Sequence, residues 1–176
     1  MGPLEGLPPL VDADCRLVIL GSFPGVASLV AQQYYGHPRN HFWSILRAIL
    51  PASQSVTLAS SYEKRSEWLL AQGIGVWDVY ATCERAGSLD SAIRHAQSND
   101  FSELLRRCPQ LQAIAHNGFE SYKQRRHTEG LVKLDGQGVA VYKLPSSSPA
   151  NASWSFERKL AAWRTVVQQH VSTAST

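Results

Sequence analysis

The sequence predicts an α/β protein of three layers, with a four-stranded, mainly parallel central sheet and helices on both faces. Two observations lead there. Four short apolar runs, at 17–20, 75–80, 113–116 and 139–144, alternate with segments of helical periodicity. Polar, glycine-rich or serine-rich stretches follow each run, at 21–28, 81–88, 117–118 and 145–151. In a parallel sheet these stretches gather on one edge, where open α/β sheets place their ligands.

The elements follow in chain order. Residues 1–12 are Pro-rich and are expected to run over the surface as an N-terminal extension. Leu17–Leu20 is closed at once by Gly21, Pro24 and Gly25, the pattern of a buried strand ending in a loop. Asn40–Leu50 carries apolar residues at 42, 43, 45, 46, 49 and 50, a helical spacing that Pro51 stops. Ser60–Gln72 repeats that pattern and ends at Gly73. Gly75–Tyr80 (GVWDVY) reads as the second strand, and Ser88 and Asp90 start a short helix through Ile93. Asn99–Cys108 is a helix with Asp100 and Glu103 in its first turn and Pro109 beyond its end. Ala113–His116 is the third strand, after which Asn117-Gly118 turns into a helix carrying Lys123, Arg125 and Arg126. Gly136-Gln137-Gly138 is a turn, and Val139–Leu144 is the fourth strand, closed by PSSSP. The last helix runs from about Ser153 to His170, with Trp154, Phe156, Leu160, Trp163, Val166 and Val167 facing inward, and 172–176 form a tail.

Composition narrows the class. A chain of 176 residues, 44% hydrophobic and 18% charged, suits one soluble domain spanning 1–176. A formal charge of +3 permits a polyanionic partner without requiring one. With no long apolar run and no leader pattern, a cytoplasmic protein without membrane contact is expected. Cys15, Cys83 and Cys108 are scattered, form no CxxC pair, and fit small buried side chains better than a disulfide framework. No metal or iron–sulfur site can be assembled, and no cofactor is expected.

The chemistry concentrates in three places. GSFPG (21–25) leaves backbone N–H groups at a strand exit, suited to an anion or a polarised carbonyl oxygen. YYGHPRNHFW (34–43) offers ring faces for stacking and the Asn40 amide for a water or a base edge. The hydroxyls of PSSSP (145–149) suit phosphates. Together these point to a nucleic-acid base taken out of its helix. Each has a structural reading beside it. Asn40 could cap the helix that follows, Tyr34 and Tyr35 could be core, and Ser146–Ser148 could be only a turn. Phe42, Trp43 and Trp77 read as core, His37 and His116 as structural or surface groups. Lys123, Arg125 and Arg126 read as a solvated face, with DNA contact as the alternative.

GSFPG, YYGHPRNHFW and LPSSSPAN in this order resemble the uracil-DNA glycosylase superfamily, over nearly the whole chain from Cys15 to Trp163. The pattern is similar to the mismatch-specific uracil/thymine branch, and most like the hypoxanthine-DNA (deoxyinosine) glycosylases. WDVY…CERAGSLDSAI (77–93) and HNG (116–118) resemble that family too. The resemblance implies a uracil-DNA glycosylase-like fold and a monofunctional enzyme of base excision repair. Its partner would be double-stranded DNA containing a deaminated or mismatched base, met by a monomer.

The implied roles fall on particular residues. Asn40 is the implied catalytic amide. Gly21, Ser22, Phe23, Pro24, Gly25, Tyr35 and Asn117 surround the base, with Tyr35 as its stacking face. Ser28, Ser146, Ser147 and Ser148 meet phosphates, and Pro149, Ala150 or Asn151 lies nearest the gap left in the stack. Phe23 stands where many members carry an Asn or Asp, and it cannot orient water. The hypoxanthine branch shares that departure, which leaves the role to Asn40. An amide oxygen can aim a water at C1′ without removing a proton, which suffices for an oxocarbenium-like sugar if the departing base is stabilised. Hypoxanthine is the expected first substrate, with uracil or a G·U or G·T mismatch next. The motif loops hold no lysine nucleophile, so no lyase chemistry is expected. A non-catalytic nucleic-acid-binding module that kept the pocket is the competing reading. A nucleotide- or flavin-binding protein is a third, weakened by the lack of a G-x-G-x-x-G or P-loop.

Overall fold

A computed structural model describes residues 2–50 and 55–171. Its central sheet is parallel and four-stranded. Strand β2 (Leu17–Gly21) lies between β3 (Ile74–Asp78) and β6 (Ala113–Asn117), and β7 (Ala140–Leu144) pairs with β6 at the far edge. The strands β2, β3 and β6 are buried at every residue, which is why they are written as continuous apolar runs. From β2 the chain reaches β3 on one side and β6 on the other, so their carboxyl ends border a crevice. Helices α1 (Val26–Ala31), α2 (Phe42–Ile49), α3 (Tyr62–Ala71), α4 (Ser102–Arg107), α5 (Phe119–Lys123) and α6 (Phe156–His170) flank the sheet, completing the three-layer α/β/α arrangement.

The local rules that place the helices are visible. Ser61 accepts from the Lys64 N–H at the start of α3, and Ser155 accepts from the Arg158 N–H at the start of α6. Helices α2 and α6 meet through rings: Phe42 stands edge-on to Trp163 at 6.0 Å and to Trp43 at 5.0 Å. Such pairs add roughly 0.5–1.5 kcal/mol each beyond the area they bury.

Several elements differ from expectation. GVWDVY is two strands, because Val79 interrupts it and the chain crosses from β3 into β4 (Tyr80–Glu84). That strand belongs to a second, antiparallel sheet of order β1-β4-β5, with β1 at Leu4–Glu5 and β5 at Arg94–Ser98. The expected helix at 88–93 is a single 3-10 turn at Asp90–Ala92, and the next residues enter β5. The Pro-rich start does not merely cross the surface: Leu4 pairs with Cys83, Leu7 is buried and Leu10 bridges Val76. The helix expected at 99–108 narrows to α4, because the Asp100 carboxylate accepts from the Ser102 N–H and holds the entry out of the helix. Trp154 precedes α6 instead of lying on it, since Ser155 caps the helix. Pro51 and 172–176 lie outside the described residues.

His116 in β6 is fully buried. The Ser121 hydroxyl, which donates to the Leu20 carbonyl, lies 2.8 Å from Nδ1 of His116, and the Thr128 hydroxyl, which donates to the Arg125 carbonyl at 3.0 Å, lies 2.8 Å from Nε2. This chain of bonds ties α5 and the 125–128 turn to the central strands. Burial holds the imidazole neutral, lowering its pKa to about 4. Protonation is therefore easier in the unfolded chain, so the stability His116 contributes is complete above pH 6.5 and is lost as the pH falls towards 4. The stability difference between wild type and His116→Gln, measured by urea denaturation, should be constant above pH 6.5 and shrink by up to about 3 kcal/mol as the pH falls from 6.5 to 4. A pH-independent difference would contradict the burial of a neutral imidazole there.

Candidate active site

The crevice opens into a cleft of about 920 Å³ at the carboxyl ends of the parallel strands. It is lined by the first loop and α1 (21–28), by Tyr35 and Asn40, by Asp78 and Asn117, and by the last loop (144–151). The structure thus brings to one cavity all the residues singled out from the sequence: Gly21 through Gly25, Ser28, Tyr35, Asn40, Asn117, Ser146, Ser147, Ser148, Pro149, Ala150 and Asn151.

The first loop is held from outside at three points. Arg85 donates from Nη2 to the Pro24 carbonyl and from Nε to the Gly87 carbonyl, with its guanidinium over the Phe23 ring at 5.2 Å. The Ser88 hydroxyl accepts from the Val26 N–H at 2.9 Å. The Ser22 hydroxyl donates to the Asp90 carboxylate at 2.6 Å. These partners all come from the RAGSLD stretch after β4, which explains why that stretch keeps an irregular path instead of a helix. Phe23 is buried under Arg85. The N–H groups of Phe23 and Gly25 meet no protein acceptor among the described residues.

Asn117, at the end of β6, is almost wholly engaged. Its Nδ2 donates to the Tyr35 hydroxyl at 3.0 Å and to the Ser147 hydroxyl at 2.9 Å, while Oδ1 accepts from the Ser147 N–H at 3.0 Å. What it has left is one lone pair on Oδ1. The neighbouring Gly118 has φ +95 and packs so closely on Ser146 that a Cβ would stand 3.0 Å from the Ser146 Cβ. Tyr35 itself sits in the left-handed region with φ +54, a strained conformation for a tyrosine. Its ring lies parallel to Phe42, centroids 3.9 Å apart. One ring face is therefore already covered.

Asn40 stands two residues before α2, and its Oδ1 accepts from the Phe42 N–H at 3.0 Å. The helix cap position is His41, so Asn40 supports the helix start from just outside it. An amide oxygen has a second lone pair, so this bond leaves room for a water. His41 donates its N–H to the Ser147 carbonyl. Below it Lys159, 1% exposed, donates to the Ser148 carbonyl at 3.2 Å and faces His41 Nδ1 at 3.3 Å. Burial lowers the pKa of both groups, and for His41 the lysine adds to it. Trp163 Nε1 donates to the Pro145 carbonyl at 2.9 Å, and further bonds lie within the last loop. Ser146 accepts from the Ser148 N–H, Ser148 accepts from the Ala150 N–H, and Asn151 donates to the Ser146 carbonyl. Ser147 and Ser28 are buried, and Ser28 accepts from the Gly36 N–H, fastening α1 to the Tyr35 turn. His37 is exposed at the cleft, its Nδ1 accepting from the Arg39 N–H.

Asp78 was not singled out from the sequence. It ends β3, is 5% exposed, and its Oδ2 has no hydrogen-bond partner. The signal was present, since a carboxylate within the apolar GVWDVY run must be buried if the run is a strand. Gly21 makes the space for it: a Cβ there would stand 2.5 Å from Asp78 Oδ1 and 3.2 Å from the Tyr35 hydroxyl. Among the described residues no cluster of three metal-ligating side chains occurs, and no helix is long and apolar enough to cross a membrane.

A family model described as the uracil DNA glycosylase superfamily matches residues 8–167, and the chain belongs to that superfamily. It is 38% identical over 163 residues to a hypoxanthine DNA glycosylase of Methanosarcina acetivorans, covering 92% of this chain and 96% of the relative. A hypoxanthine DNA glycosylase of Methanosarcina barkeri is 35% identical over 160 residues, covering 90% and 94%. Among solved structures, an M. acetivorans protein determined by solution NMR as a candidate uracil DNA glycosylase superposes with a TM-score of 0.79. The identity is 34%, over 96% of this chain and 98% of that one.

The close approach at Gly21 yields an expected outcome. Gly21→Ala should destabilise the fold by about 1–3 kcal/mol, the usual range for overpacking, because the new methyl meets Asp78 and Tyr35. Urea denaturation measures it, and an unchanged midpoint would mean that the cleft floor can yield.

Proposed function

We propose that this protein is a monofunctional DNA glycosylase that hydrolyses the N-glycosidic bond of a deaminated base flipped out of double-stranded DNA, with hypoxanthine as its first substrate. The observation that carries the reading is the convergence of the Asn40 amide, the free N–H groups of the first loop and Tyr35 on one cleft. The two relatives named hypoxanthine DNA glycosylases support the choice of base. In this reading Asn40 Oδ1 aims a water at C1′, and its bond to Phe42 N–H fixes the amide beforehand. The N–H groups of Phe23 and Gly25 donate to the carbonyl oxygen of the base, and the lone pair left on Asn117 Oδ1 accepts from the adjacent ring N–H. Adenine presents an amino group to those donors and a ring nitrogen to that acceptor, so it is refused. Uracil and mismatched thymine share the carbonyl and N–H edge and stand next in order, separated from hypoxanthine by size. The exposed face of Tyr35 supports the base from the side opposite Phe42. Ser146 and Ser148, whose hydroxyl protons remain to be donated, hold the flanking phosphates, and Pro149, Ala150 or Asn151 occupies the gap.

Duplexes containing deoxyinosine, deoxyuridine, xanthine or a G·T pair, incubated and then cleaved with alkali, test this directly. Abasic product from the deoxyinosine strand is expected first, whereas binding without product would identify a non-catalytic module. Asn40→Ala should lower the single-turnover rate by about 10²–10³ with DNA affinity nearly unchanged, and a variant with full activity would remove Asn40 from the mechanism. Affinity should fall as salt rises, with a log–log slope reflecting only a few phosphates, since the net charge is +3. Salt-independent binding would count against DNA.

A further inference from the structure

The Asp78 carboxyl is buried in the cleft floor, and its Oδ2 has no hydrogen-bond partner among the described residues, a costly arrangement for an ionised carboxylate. Its main chain is fixed, because Asn99 donates from its side chain to the Asp78 carbonyl at 2.8 Å. The ionisable groups that face it are known. Asp90, on the loop after β4, is held by Ser22, and Tyr34 and Tyr35 lie on the opposite wall. Arg85, the nearby cation, spends its Nη2 and Nε donors on the carbonyls of Pro24 and Gly87. Its Nη1 has no hydrogen-bond partner, and among the described residues no ion pair includes Asp78.

We propose that Asp78 is the proton donor to the departing base, which adds a second catalytic group to the hydrolysis proposed above and rests on that reading. As the C1′–N9 bond breaks, its electron pair passes to the purine and the Asp78 proton moves to a ring nitrogen, so the base leaves neutral. The water aimed by Asn40 forms the new C1′–O bond and releases a proton to solvent, from which the Asp78 carboxylate is recharged. A general acid works best when its pKa lies near the working pH. Burial, with repulsion from Asp90 added and Arg85 opposing, pushes Asp78 up to about 7.

The test is the pH profile of single-turnover deoxyinosine excision for wild type and Asp78→Asn, which keeps the shape and neutrality of the protonated acid but has no proton to give. The wild-type rate should fall about tenfold per pH unit above the pKa, the behaviour of an obligatory acid. Asp78→Asn should lose about 10²–10⁴ in rate, with the high-pH fall abolished and duplex affinity retained. Folding is checked separately. Because Asp78 is harder to ionise when folded, its protonated form costs wild type stability as the pH rises from about 4 to 7, opposite in sign to His116. Asp78→Asn should therefore gain on wild type across that range. A variant that keeps the wild-type rate and pH limb overturns the proposal, as does one that loses affinity while the limb persists. Absence of abasic product from wild type at every pH would overturn the glycosylase reading itself.

Discussion

The cleft depends on the Asn117 amide. One side chain joins three segments far apart in sequence: the end of β6, the Tyr35 turn and the last loop at Ser147. The reciprocal pair with Ser147 fixes the height of the last loop above the sheet, and the bond to the Tyr35 hydroxyl fixes the ring that Phe42 stacks upon. That bond adds to the Phe42 stack and the Ser28 bond to Gly36 in holding the left-handed conformation of Tyr35. Shape and chemistry here come from the same hydrogen bonds.

A similar economy governs the other two walls. Arg85, Ser88 and Asp90 fix the first loop by its carbonyl, amide and hydroxyl groups, and the N–H groups of Phe23 and Gly25 have no protein acceptor among the described residues. Asn40 spends one lone pair on the start of α2, so its amide plane is set by the helix and not by any ligand. Lys159, buried without a carboxylate partner among the described residues, underpins the last loop through a backbone carbonyl. A buried ammonium of this kind is tolerated only where dipoles replace the lost water.

Much of this was legible in the sequence, and the limits have physical causes. The strand runs declared themselves because both faces of a parallel sheet are dry, so Leu17–Leu20 and Ala113–His116 contain no polar interruption except the satisfied His116. The loops could be placed on one edge for the same reason. GVWDVY misled because hydrophobicity continues through Val79 while the backbone changes sheet, and a two-sheet path leaves no trace in periodicity. The 88–93 stretch carries helix-start residues, Ser88 and Asp90, whose side chains instead cap nothing and reach across to the first loop. Asn117 and Ser28 were singled out by the family resemblance, but their engagement inside the protein depends on long-range pairing that no local pattern encodes. Asp78 is the converse case, conspicuous as a charge in an apolar strand yet silent about what it faces.

Val79 and Tyr80, where the chain passes between sheets, also donate their N–H groups to the carbonyls of Gly21 and Ser22. The floor of the cleft is thereby tied to both sheets at once. These two bonds tether the first loop at its start. In the proposed function, the duplex bends and opens, and its yielding differs from one base pair to the next. Discrimination would begin in the mechanics of the DNA, before any atom of the base reaches the pocket.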